Sequence, residues 1–92
     1  MLFMLVSRPR PGVKREQLIE RLTREMHPDT WDLFRHGKLS NILYKTRDEP
    51  GFFAVLEAEG LDDAKALVDR GAERVEVFDI DIVPVKHFPQ FD

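Results

Sequence analysis

The chain opens Met1-Leu2-Phe3-Met4-Leu5-Val6, an apolar run with no polar position of either parity. A β-strand sends successive side chains to opposite faces, so a strand built from this run has both faces covered. With 92 residues, the chain makes one domain, 1–92, which buries roughly two-thirds of the surface its unfolded form exposes. Helices of its own can cover one face of the strand. The other face calls for a second subunit, so self-association as a homodimer or higher homo-oligomer is expected. The run has no basic flank before it and is too short for a secretory core or a bilayer span. The expected setting is therefore a buried strand in a cytoplasmic protein, with no membrane partner.

Composition removes several function classes. Hydrophobic residues make up 42% and charged residues 34%, which suits a packed domain rather than a disordered one. A formal net charge of -3 argues against a nucleic-acid partner, which needs a basic face. Absence of cysteine removes disulfides, zinc ribbons and thiol nucleophiles. No two histidines stand at ligand spacing, and Asp79 and Asp81 have no third ligand beside them, so no metal is expected. Nor does the chain carry a glycine-rich phosphate loop or a nucleophile elbow.

Along the chain, Arg8-Pro9-Arg10-Pro11-Gly12 ends the first strand. Its arginines could meet an anion at a pocket mouth or simply sit in a solvated loop. Lys14 to Met26 reads as a helix, with Leu18, Ile19, Leu22 and Met26 on one stripe and Glu20–Arg24 as a favourable pair. Pro28 breaks it, because proline lacks an N–H and disfavours helical dihedrals in the residue before it. A second short helix then carries Trp31, Leu33 and Phe34. Asp29 and Asp32 suit its positively polarised first turn, and Gly37 suits its end. Lys38 to Arg47 reads as a strand centred on Ile42-Leu43-Tyr44, with the polar ends of an edge strand. Asp48-Glu49-Pro50-Gly51 is a turn.

Phe52 to Glu59 is the next strand, with Phe52, Ala54, Leu56 and Ala58 assigned to the helix side because small alanines allow close approach. Gly60-Leu61-Asp62-Asp63 opens a helix with Asp62 as N-cap. Its stripe is Leu61, Ala64, Leu67 and Val68, and Gly71 ends it. Val75 to Val85 is the last strand, an edge strand that tolerates Pro84. Phe88 and Phe91 predict that the tail packs, on this chain or on a neighbouring subunit.

The order strand, helix, strand, strand, helix, strand is the ferredoxin-like split unit. The expected fold class is α+β: a four-stranded antiparallel sheet with helices on one face. The first and third strands, the most apolar, take its centre.

The chain resembles the muconolactone isomerase family of the dimeric α+β barrel superfamily. The residues that carry the resemblance are Met1-Leu2-Phe3, Arg35-His36-Gly37, Gly51-Phe52-Phe53-Ala54-Val55, Asp79-Ile80-Asp81-Ile82 and Phe88-Pro89. The resemblance implies a small homo-oligomer built from dimers that needs no cofactor. It also implies an activity that moves a proton and a double bond in a small unsaturated lactone bearing a carboxylate. Met4 is a departure, standing where the family's isomerase carries a histidine in its first strand. The spacing of His27 and Gly37 is similar to that in YCII-type proteins. That likeness implies a catalytic histidine paired with an aspartate, here Asp29 or Asp48.

Such chemistry needs a base, an acid and a holder for negative charge. His27 suits the first two, since its unperturbed pKa lies near neutral; the alternative is a capping or surface histidine. Tyr44 can donate to a substrate oxygen or point its hydroxyl to water. Glu57 is an acid or base if buried, and an ion-pair partner if it faces a subunit surface. Asp29, Trp31 and Arg8 are the candidate substrate-binding residues, with Trp31 also a candidate core residue. His36 and His87 read as surface groups. The function these readings favour is a cofactor-free acid–base enzyme, an isomerase of a small anionic unsaturated lactone or related ligand. The alternatives are a non-catalytic accessory module built for oligomerisation and a cofactor-independent monooxygenase or cyclase, because one scaffold hosts many functions.

Overall fold

The computed structural model describes residues 1–24, 28–45, 48–70 and 76–86, with the backbone alone at Asp29. The elements run β1 (Leu2–Pro9), α1 (Arg15–Thr23), α2 (Pro28–Arg35), β2 (Leu39–Tyr44), β3 (Phe52–Glu57), α3 (Leu61–Asp69) and β4 (Phe78–Val85). The strands form one sheet in the order β2-β3-β1-β4, and every pairing is antiparallel. The two most apolar strands, β1 and β3, therefore lie at the centre, as the sequence pattern leads one to expect. No helix among the described residues is long and apolar enough to cross a membrane.

Strand parity decides where the core lies. Phe3 and Leu5 of β1 and Ala54 and Leu56 of β3 point to one face, where they form a buried cluster with Ala58, Leu39, and Ala64 and Leu67 of α3. Leu33 of α2 packs against the same cluster. A second cluster joins Leu18 of α1 to Phe52, Val77 and Phe78, with the Phe52 and Phe78 rings edge to face at 5.8 Å. All three helices thus serve one face of the sheet. Phe3, Phe78 and Leu56 are its most deeply buried large side chains, each worth about 1.5–3 kcal/mol of apolar transfer. Ala64, wholly buried, lets α3 sit close over the central strands.

The opposite face carries Leu2, Met4 and Val6, Phe53 and Val55, and Val83 and Val85. These residues are half-buried or exposed, and the strand register aligns them. No helix among the described residues packs on this face.

Several boundaries differ from expectation. α1 stops at Thr23, and Arg24 is already extended at ψ 150°, so the helix ends before the stretch that Pro28 restricts. Thr23 turns its hydroxyl back onto the carbonyls of Ile19 and Glu20, and the Glu20–Arg24 pair closes at 2.6 Å. Pro28 itself begins α2, where a missing N–H costs nothing. Gly37 ends that segment at φ +74°.

β2 is shorter than expected and bulged. Ser40 pairs with Val55 and Leu43 with Phe53, so Asn41 and Ile42 together face Ala54. Asn41 takes φ +50°, the signature of a bulge residue. The bulge lets Ile42 join the core while Leu43 stays on the open face. Tyr44 ends the strand rather than lying at its middle.

β3 ends at Glu57, not Glu59. α3 begins two residues earlier than an Asp62 cap requires, with Gly60 at the N-cap and Asp62 in the first turn. It is Asp63 that accepts the N–H of Glu59, at 2.9 Å. β4 starts at Phe78 because Glu76 and Val77 are in a turn. Met26, His27, Arg47, Gly71, Val75 and the closing aromatic segment lie outside the described residues.

Candidate functional site

The sequence-chosen residues fall in separate places. Tyr44 ends β2 and pairs with Phe52, with about half of its surface exposed. Trp31 lies on α2 with its ring edge to face with Phe34 at 6.1 Å, and both rings are partly exposed. Glu57 ends β3 on the open face, where Oε1 accepts a hydrogen bond from the Met1 amino group at 2.9 Å. It is exposed in this chain and makes that ion pair. Tyr44 and Glu57 occupy opposite ends of the sheet, since their register partners Phe52 and Leu2 do so.

Arg8 lies on β1 and grips Asp81 of β4 with two bonds, Nε to Oδ2 at 2.7 Å and a terminal nitrogen to Oδ1 at 2.9 Å. The hydrogen bond to Asp81, and then that carboxylate's charge, raise the Arg8 pKa. Its carboxylate-binding fork is thus already occupied within the chain. His27 and the side chain of Asp29 lie outside the described residues. The described residues contain no group of three or more His, Cys, Asp or Glu side chains placed to hold a metal ion.

A cleft of about 410 Å³ opens between α3 and β4 on the helix side of the sheet. Phe78, Ile80 and Ile82, two apart along β4, supply its apolar floor. Leu61, Lys65, Val68 and Asp69, on one side of α3, supply its wall. The packing explains the opening. α3 puts Ala64 and Leu67 onto the central strands, so its next face overhangs the edge strand. Ile80 and Ile82 remain partly exposed beneath it, and Leu61 is 46% exposed.

Arg10, Asp79 and Asp81 complete the lining. Arg10 Nε lies 3.4 Å from Asp79 Oδ1 and donates to the Phe78 carbonyl. Two of the three carboxylates here are thus faced by a guanidinium: Asp79 by Arg10 and Asp81 by Arg8. Lys65 and Asp69 lie one helical turn apart. Among the described residues Lys65 has no hydrogen-bond or ion-pair partner.

Sequence reasoning missed this cleft. Both stripes that line it were visible, the β4 alternation and the α3 spacing. The gap between them was not, because it depends on where the small Ala64 seats the helix.

No protein-family profile and no curated relative matches the sequence. Solved structures do match. The 5-chloro-2-hydroxyhydroquinone dehydrochlorinase of Burkholderia phenoliruptrix AC1100, in complex with 2,5-dihydroxybenzoquinone, superposes with a TM-score of 0.67 at 19% identity over 100% of both chains. Muconolactone isomerase superposes with a TM-score of 0.64 at 14% identity, over 99% of this chain and 94% of that one. The fold of this chain, from end to end, is the ferredoxin-like α+β fold of muconolactone isomerase.

Proposed function

We propose that the protein is a cofactor-free enzyme that moves a proton on a small, oxygenated, unsaturated anion. The observation that carries this reading is the end-to-end correspondence with two small-molecule enzymes. Their names describe two different reactions. Loss of HCl removes a proton as chloride departs, and lactone isomerisation moves a proton with a double bond. Both need a positioned acid–base group. His27 is our choice for that group, because an imidazole exchanges protons near neutral pH. Asp29 or Asp48 would orient it. Trp31 and Tyr44 would line the substrate's approach. The reading also includes a cytoplasmic homo-oligomer in which a second copy covers the open sheet face, since that face aligns apolar residues from all its central and edge strands.

The test is direct. Purified protein, with no added cofactor or metal, is incubated with muconolactone and with 5-chloro-2-hydroxyhydroquinone, and then with related unsaturated lactones and small enol acids. Turnover is followed by absorbance and the products are identified. Conversion of any of them supports the reading. If none is converted, the enzyme reading falls and the accessory oligomerisation module takes its place.

A further inference from the structure

We propose that the cleft between α3 and β4 is a binding site for a small amphipathic anion, an aromatic or unsaturated carboxylate, whose acidic oxygen is taken by the Lys65 ammonium. This inference concerns binding alone and holds whether or not the protein converts such a ligand.

Three observations carry it. First, the cleft's volume of about 410 Å³ falls in the range of small-molecule sites, roughly 300–1,000 Å³. Second, its lining is mixed, five apolar and five charged residues, so one part can hold a ring while another holds a charge. Leu61 and Val68 of α3 and the partly exposed Ile80 and Ile82 of β4 supply the apolar share, able to take a flat hydrocarbon ring.

The third observation is the charge balance. Asp79 and Asp81 would repel an anion, but each is faced by a guanidinium of β1 or the loop after it. That leaves Lys65 as the lining cation with no partner among the described residues. Arg10 commits its Nε to Asp79 and the Phe78 carbonyl, while a guanidinium carries five N–H donors in all. Its remaining donors can add to the hold on an acidic oxygen. Asp69, a turn beyond Lys65, is the one lining acid not faced by an arginine. It can accept only from a donor, so a hydroxyl on the ligand suits it. The ligand these groups describe is a planar carboxylate that also bears a hydroxyl.

The test is an amide chemical-shift titration of the intact protein with 3-hydroxybenzoate. Benzyl alcohol and benzylamine serve as the neutral and cationic counterparts. We expect saturable shifts at Lys65, Val68, Ile80 and Ile82 with 3-hydroxybenzoate, and weaker binding of both counterparts. Lys65→Met should weaken the carboxylate by about two- to fivefold, the worth of one solvent-exposed ion pair. It should leave the spectrum otherwise folded, because the residue is exposed and unpartnered. Lys38→Met, one residue before β2, should leave affinity unchanged. Absence of saturable shifts at these amides up to millimolar ligand overturns the proposal. So does equal binding of the benzylamine, or equal affinity in the Lys65→Met variant. Turnover of a substrate with no shift in the cleft would sink this site while leaving the enzyme reading intact. Binding here without turnover would do the reverse.

Discussion

The Ser7 hydroxyl oxygen accepts the backbone N–H of Phe52 at 2.8 Å, one step beyond the last paired residues of β1 and β3, Val6 and Phe53. Ser7 is the buried polar residue among those described, 3% exposed. A side chain here does what a ladder bond would otherwise do, and the group it serves is buried. Gly51 sits against the same hydroxyl. A Cβ added there would lie 2.7 Å from Ser7 Oγ and 3.0 Å from Lys45 Cδ. Lys45 can swing aside, but Ser7 cannot without releasing Phe52.

This arrangement predicts a coupled pair of substitutions. Ser7→Ala leaves a buried N–H unpaired and should cost about 1–3 kcal/mol. Gly51→Ala should cost a similar amount, about 1–3 kcal/mol, through overpacking. In the Ser7→Ala background the oxygen is gone, so Gly51→Ala should cost far less than it does alone. Urea unfolding of the four proteins in the cycle measures the coupling. Simple additivity would contradict the contact.

The bulge in β2 predicts a second result. Asn41 is the non-glycine residue at positive φ among those described, and asparagine tolerates that region better than a branched residue does. Asn41→Gly should change stability little. Asn41→Val should cost about 1–2 kcal/mol for holding a branched residue in the left-handed region. Denaturant midpoints decide it, and equal midpoints for the two variants would mean that the bulge relaxes.

The order of elements, the central strands and the helix-facing parity of β3 were legible because each rests on apolar periodicity, which the core enforces. Phe52, Ala54 and Leu56 face the helices as that periodicity requires. Element ends were less legible because they rest on single local bonds. The end of α1 depends on Thr23 and Arg24, and the Asp63 bond to Glu59 stands where Asp62 was expected to cap. The bulge at Asn41 was invisible because an asparagine in a polar edge strand has an ordinary appearance. Site geometry was the least legible. Arg8 reads in sequence as an arginine waiting for an anion, and only the cross-strand register shows Asp81 within its reach. The cleft beside Lys65 arises from helix placement rather than from any motif.

The open sheet face predicts a change of assembly. Val55 lies at its middle, paired with Met4 and Ser40, and a second copy covers it in our reading. Val55→Lys places a charge on this face without touching the helix-side core. Light scattering at micromolar concentration should give at least twice the chain mass for the wild type and a single chain mass for the variant, with the far-ultraviolet spectrum unchanged. A monomeric wild type would end the oligomer reading.

The last prediction concerns His27. In the sequence His27 falls between Arg24, which has already left α1, and Pro28, which opens α2. Its removal deletes no large apolar side chain from the described core, so His27→Ala should fold and assemble as the wild type does. If the imidazole moves the proton, turnover should fall by about 100- to 10,000-fold, the usual contribution of a general acid–base residue. The sign of the pH dependence follows from the role. A base must be unprotonated to abstract, so kcat/KM should be lost as pH falls through the imidazole's own range near neutrality. That limb should vanish in His27→Ala. His36→Ala, whose ring nitrogen lies 2.7 Å from the Asp32 carbonyl oxygen, should change turnover little. His87→Ala should behave likewise. A substrate that turns over equally well in His27→Ala and in the wild type would remove His27 from the mechanism and move the search for the base to the remaining carboxylates.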